Sequence, residues 1–214
     1  MKKILKILLV VVLIAAVASG WFLYNNRDYI KALLLAGKTS GEEISATIGE
    51  SERKTVQTLG KYIPIREYSE PNGEYRGLES EKESVENIKN AIDYDSLDEI
   101  QVEIAKYILR LYELKSKYLG EAEALIQKAK DEFYALPQEE WTTDNRTRII
   151  LKHSKDAYSA LAQCDSEVNN ICNDLEKYLK DNNADTSIVK EIKKAYEEEK
   201  TLKKAFYMKK YIGE

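Results

Sequence analysis

Between Thr147 and Tyr178, apolar residues recur at alternating steps of three and four: Ile150, Ala157, Leu161, Cys164, Val168, Ile171, Leu175 and Tyr178, with Ser154 in the one gap. That spacing predicts a helix with a narrow apolar seam. At 1.5 Å per residue the seam runs for about 48 Å, and a single helix cannot cover it, so partner helices of similar length are required. Two flank it. From Leu97 a seam follows Ile100, Ile104, Tyr107, Leu111, Leu114 and Tyr118, steps by four to Ala122 beside Gly120, and continues through Leu125, Ala129, Phe133 and Leu136 until Pro137 ends it. The four-residue step is a stutter that locally unwinds a supercoil. A last run, Ile188, Ile192, Ala195, Leu202 and Phe206, predicts a helix ending near Ile212. The connections are short: a tight one through Trp141, with Thr143 or Asp144 as cap, and a polar turn at 181–185. Consecutive helices are therefore expected to be antiparallel.

Upstream the pattern is weaker. Ser40 with Glu43 reads as a capping box opening a helix through Ile44, Ile48, Val56 and Leu59 to Gly60, in which Gly49 costs about 1 kcal/mol relative to alanine. Ser80 with Glu83 reads as a second box before Val85, Ile88 and Ile92, and Ser96 with Glu99 as a third, opening the longest helix. Between them, 61–79 has no helical period. It holds Pro64, a Pro71-Asn72-Gly73 turn signal, and Tyr62, Tyr68 and Tyr75 beside Arg66 and Arg76.

The N-terminal pattern is different in kind. Lys2, Lys3 and Lys6 precede an uncharged, nearly all-apolar run from Ile7 to Tyr24, close to the length of a bilayer core, with Trp21 and Tyr24 at its far end. An uncleaved signal anchor accounts for the continuation through Trp21, Phe22 and Leu23. A cleaved signal peptide, cut after Ala16-Val17-Ala18, is the alternative. Both place the bulk of the chain outside the cytoplasm. Residues 25–36 continue the helix out of the membrane, with a hinge at 37–41.

The expected fold is therefore all-α: an N-terminal transmembrane helix followed by an antiparallel bundle of three long helices with one or two shorter accessory helices. The divisions are 1–24 as anchor or signal peptide, 25–40 as juxtamembrane helix and hinge, 41–92 as short helices with the Tyr/Pro loop at 61–79, and 93–214 as the bundle. Composition agrees, with 43% hydrophobic and 33% charged residues but only 9 Gly and 3 Pro.

Charge excludes a class of partner. The three N-terminal lysines leave 30 of the 33 basic residues against all 37 acidic ones, a net of −7 for the rest of the chain, which argues against a nucleic-acid binder. The lysines of the last helix, Lys203, Lys204, Lys209 and Lys210, suit a helix C-terminus, and a contact with an anionic polymer or lipid surface is their functional alternative.

Candidate chemistry thins out on inspection. Asp93, Asp95, Asp98 and Glu99 fail as a calcium loop, because Leu97, Asp98 and Ile104 stand where a ligand, a glycine and a glutamate are needed. They suit a helix N-terminus instead. His153, the lone histidine, has no cysteine one turn away and no nucleophile-elbow partner, so it reads as solvated or flanking the seam. Cys164 and Cys172 lie about 12 Å apart on one helix, too far to bridge, and read as small buried hydrophobes. The Glu139-Glu140 pair and Glu197 to Glu199 read as solvated. No catalytic residue, metal or cofactor is expected.

The function that follows is a non-enzymatic, membrane-anchored extracytoplasmic interaction or scaffold module of the cell envelope, with a membrane, a protein partner and a possible homo-oligomer as its contacts. Tyr62, Arg66, Tyr68, Tyr75 and Arg76 are the candidate partner-binding residues, since tyrosine and arginine dominate binding surfaces. The competing reading of that loop packs its tyrosines back on the bundle. Alternatives for the whole chain are an extracytoplasmic sensor with a ligand between helices and a carboxylate-based glycan hydrolase.

Overall fold

The computed structural model describes residues 27–68 and 74–211. The described chain is all-helical, with six α-helices: α1 Arg27–Lys38, α2 Gly41–Leu59, α3 Leu78–Ala91, α4 Glu99–Tyr134, α5 Thr143–Asp181 and α6 Ser187–Tyr211. Single 3-10 turns at Tyr94–Ser96 and Gln138–Glu140 join them, and one isolated antiparallel bridge pairs Ile65 with Ile92. The expected membrane span at 1–24 and the Pro71-Asn72-Gly73 turn lie outside the described residues. Among the described residues no helix is long and apolar enough to cross a membrane.

The chain divides into two compact units, 49–196 and the remainder, of which 27–48 and 197–211 are described. In the smaller unit Ala32, Ala36, Ile44, Ile48 and Ala205 are buried. The break between α1 and α2 falls at the expected hinge. Ser40 caps α2 as anticipated: its Oγ accepts from the Glu43 N–H at 3.1 Å, and the Glu43 carboxylate accepts from the Ser40 N–H at 3.0 Å.

The larger unit is built on the α4/α5 hairpin. Lys117 pairs with Glu167 at 3.4 Å midway along it and Lys152 with Glu132 at 2.7 Å near its turn, the same antiparallel register held over about four turns. One core joins Val56 and Leu59 of α2, Ile63, Ile88 of α3, positions 104 to 118 of α4, positions 164 to 179 of α5, and Ile188, Val189 and Ile192 of α6. The turn from α5 to α6 closes through Asn183 at φ 53°, with the Ala184 N–H donating to the Leu179 carbonyl at 2.8 Å. Asparagine tolerates that left-handed conformation.

Three helix starts differ from expectation. α3 begins at Leu78 because Gly77, at φ 79°, takes a backbone turn that favours glycine. Ser80 is thereby inside the helix, its Oγ accepting from the Arg76 N–H at 2.8 Å, so it forms no box with Glu83. α4 is capped by Asp98 rather than Ser96: the Asp98 carboxylate accepts from the Gln101 N–H at 2.8 Å while the Gln101 side chain accepts from the Asp98 N–H at 3.1 Å. Ser96 instead donates its hydroxyl to Asp93 at 2.8 Å. α5 is capped by Thr142, ahead of both expected caps, Thr143 and Asp144.

The long seam also needs correction. It is buried from Cys164 to Leu175, but Tyr178, Ile150 and Leu161 are only half-buried and Ala157 is exposed. On α4 no residue after Tyr118 is buried, and on α5 only Ile149 and His153 are buried before Cys164 among the side chains described. Beyond the core, 119–163 forms an arm of α4 and α5, with Leu78 of α3 against Gly120 and its N–H donating to Glu123 at 2.9 Å at the arm's base.

Candidate functional site

The strap 61–68 that follows α2 is stitched to the segment after α3. The Arg66 N–H donates to the Ala91 carbonyl at 2.7 Å and the Asp93 N–H to the Pro64 carbonyl at 3.0 Å, flanking the Ile65–Ile92 bridge. On this frame the five candidate residues separate. Tyr62 shares a hydrogen bond with Ser187 at 2.9 Å. Tyr68 donates to Glu52 at 2.8 Å, and Tyr75 is buried. The Arg66 guanidinium bonds Asp93 and reaches Asp95 at 3.4 Å, and Arg76 pairs with Glu79 and Glu83. Tyr62 and Tyr68 thus pack inward, while the side chains of Arg66 and Arg76 stay 58% and 42% exposed.

Behind the strap lies a polar cluster that the sequence did not reveal. Glu52 and Glu81 are 7% and 2% exposed, unusual for carboxylates. Lys115 reaches Glu81 at 3.0 Å and lies 4.5 Å from the centre of the Tyr112 ring, a cation–π contact. Burial, and then the charge of Glu52, push the Tyr68 hydroxyl well above its ordinary range, with Tyr112 and Lys115 near enough to act on it. Tyr68 therefore stays protonated and donates. Glu81, Ser84 and Ile88 stand at i, i+3 and i+7, so the helical period does put this glutamate on the buried face. That spacing was the one available signal.

In front of the strap, a cleft of about 320 Å³ is lined by Arg53, Val56 and Gln57 of α2, by Gly60 just after it, and by Ile65, Arg66 and Tyr68. Two guanidinium groups border it. Asp93 is held below the ordinary carboxylate range by the Ser96 hydroxyl and then by Arg66, so the acidic segment before α4 is committed to an internal cation. Among the described residues no group of three or more His, Cys, Asp or Glu could hold a metal.

The arm carries the other concentration of unusual side chains. At its tip the rings of Phe133, Tyr134 and Trp141 lie 5.3 to 6.1 Å apart, and the Trp141 indole donates to the Leu136 carbonyl at 3.0 Å. Tyr134 is 62% exposed, Trp141 45%, Leu151 65% and Tyr158 58%. These are four of the seven large exposed hydrophobics among the described residues. His153 is not solvated: it is 7% exposed and bonds Glu132 at 2.9 Å. Lys152 first, and then His153, hold the Glu132 carboxyl below its ordinary range. Glu139 and Glu140 are exposed. Cys164 and Cys172 are buried, Cys164 accepting from the Tyr196 hydroxyl at 3.5 Å, and burial pushes the Cys172 thiol up.

No family model, curated protein or solved structure matches this chain.

Proposed function

We propose that the chain is a non-enzymatic helical interaction module, held at a membrane by its N-terminal apolar run with the bulk outside the cytoplasm, and that the α4/α5 arm is the surface it offers. The supporting observation is the arm's exposed apolar content, Tyr134, Trp141, Leu151 and Tyr158, on a stretch where only Ile149 and His153 are buried among the side chains described. Exposed apolar patches of this kind mark interaction sites in soluble folds. Aromatic residues set in a rigid element lose little side-chain freedom on binding.

The test is photo-crosslinking in intact cells with a benzophenone amino acid in place of Trp141 or Tyr158. Protease shaving and the mass of the mature N-terminus establish the topology. Adducts at both arm positions, on a chain cut from outside, are expected. Absence of any adduct at either position counts against the arm, and a chain protected until lysis counts against the orientation.

A further inference from the structure

The apolar stripes of α4 and α5 continue past the point where the core stops. On α4 they run through Ala122, Leu125, Ala129 and Phe133, and just past its end to Leu136, all half-buried. On α5 they run through Leu161, Ala157 and Ile150, which are half-buried or exposed. Steps of three and four keep each set close to the face that is sealed nearer the core. Two adjacent helices cover one flank of each other's stripe and leave the other flank open; four helices close both.

We propose that a second copy of this chain covers the arm, two arms packing face to face about a two-fold axis as an antiparallel four-helix bundle. This rests on the reading of the arm as the interaction surface and names its partner. Charge singles out a copy of the same chain. Outside the internal Lys152–Glu132 pair, the α4 part of the arm holds Glu121, Glu123 and Asp131 against Lys128 and Lys130, whereas the α5 part holds Arg146, Arg148 and Lys155 against Asp144 and Asp156. One helix is net −1 and the other net +1. A two-fold axis lays α4 of each copy on α5 of the other, so opposite signs meet at both contacts. A partner with a single sign of charge would match one helix and repel the other.

Size is sufficient. The arm's α4 segment, 119–134, spans about 24 Å and its α5 segment, 143–163, about 32 Å, and two helices about 10 Å apart present a face about 20 Å wide. The footprint is on the order of 540 Å² per copy, so a pair buries about 1,100 Å², just above the roughly 1,000 Å² expected of a specific interface.

The experiment uses the full chain in detergent micelles, in two versions with different tags. The photo-crosslinker replaces Ala157, and sedimentation equilibrium is run on the chain with and without Ala157→Glu. The expected adduct has twice the mass of the 24.6 kDa chain and carries both tags. Because a two-fold interface meets each substitution twice, Ala157→Glu is expected to raise the dimer dissociation constant at least about 30-fold. Its helical circular dichroism is expected to stay unchanged, since Ala157 is exposed. If the variant loses helicity, the doubly tagged adduct still decides.

Adducts only to a different protein, with a monomeric chain, overturn the second copy and leave the interaction reading standing. No adduct of any kind overturns both. A dimer that ignores Ala157→Glu and yields no doubly tagged adduct associates elsewhere, and also overturns the inference.

Discussion

Glu81 on α3 meets Lys115 on α4 at 3.0 Å, and its side chain is only 2% exposed while that of the lysine is 21% exposed. Removing the cation strands a carboxylate inside the unit. Breaking a buried pair typically costs about 3–5 kcal/mol. Lys115→Met is expected at the low end, about 3 kcal/mol, because Lys115 retains some water. Adding Glu81→Leu to Lys115→Met should recover most of that loss, since a matched apolar pair needs no compensation. Urea denaturation of the single and double variants checks both; a single variant within 0.5 kcal/mol of the parent, on the order of an ordinary surface change, would show the pair to be unimportant.

Tyr118 and Glu167 link α4 and α5 at 2.6 Å, and their titrations give the link a pH window. The Tyr118 hydroxyl is pushed up to about 12, first by its hydrogen bond to Glu167 and then by burial. Glu167 is held below the ordinary carboxylate range, chiefly by the same bond. A depressed carboxyl stabilises the fold above its unfolded value and loses that contribution as pH falls through its folded value. A raised tyrosine stabilises below about pH 10 and loses its contribution as pH rises through about 12. The urea midpoint gap between the parent chain and Tyr118→Phe is therefore expected to be widest from about pH 5 to 10 and to shrink on either side. A gap independent of pH would mean that the hydroxyl is not bonded to Glu167.

The cap of α4 distinguishes two neighbouring residues. Asp98→Ala should cost about 1 kcal/mol, the usual value of an N-cap side chain. Ser96→Ala, which removes only a bond to Asp93, should cost less than half of that. Thermal midpoints of the two variants give the order directly.

Gly49 lies within α2 with nothing within 4 Å of where a methyl group would sit. Gly49→Ala should stabilise the chain by about 0.5–1 kcal/mol, because the helix no longer has to immobilise a glycine. Gly120 is closer packed, with Leu78 Cδ2 at 3.7 Å from the same position, an ordinary contact. Gly120→Ala should also stabilise. A loss at Gly120 with a gain at Gly49 would show that Leu78 cannot accommodate the methyl group.

Both cysteines are expected to resist alkylation in the native chain and to react together on unfolding, since each is buried and burial disfavours the reactive thiolate. Mass spectrometry after timed labelling measures this. Rapid reaction of Cys172 alone would contradict its 0% exposure.

What the sequence revealed, and what it did not, follows from how local each signal is. The seam from Cys164 to Leu175 was legible because the helical period matches the burial pattern wherever other elements press on the helix. The same period extends to Ala157, which is exposed: periodicity records the face a helix offers, not how far its partners reach. Capping boxes failed where several polar residues lie close together. Asp98 with Gln101 is two positions from Ser96 with Glu99, and nothing local ranks them. Ser40 was read correctly, although Thr39 with Glu42 offers the same pattern one position earlier. Glu52 and Glu81 look like any other carboxylates in an acidic chain. Their burial depends on Tyr68, Lys115 and Tyr112, brought in from elsewhere in the sequence, so only the placement of Glu81 in phase with Ile88 hinted at it. Among the candidate residues, Tyr62 and Tyr68 became structural ties because a strap crossing a core must give its buried rings polar partners.

Tyr62 and Ser187 touch across 125 residues of chain, and this has a consequence for biosynthesis. At roughly 5–20 residues per second, Ser187 is made roughly 6–25 s after Tyr62. Through that interval Ile63, 1% exposed in the finished fold, waits without part of the core that will seal it. The α4/α5 hairpin, whose partners are near neighbours in the chain, can close before α6 is complete. The nascent chain therefore carries an unfinished apolar strap for seconds, and chaperone demand should fall sharply once α6 clears the ribosome.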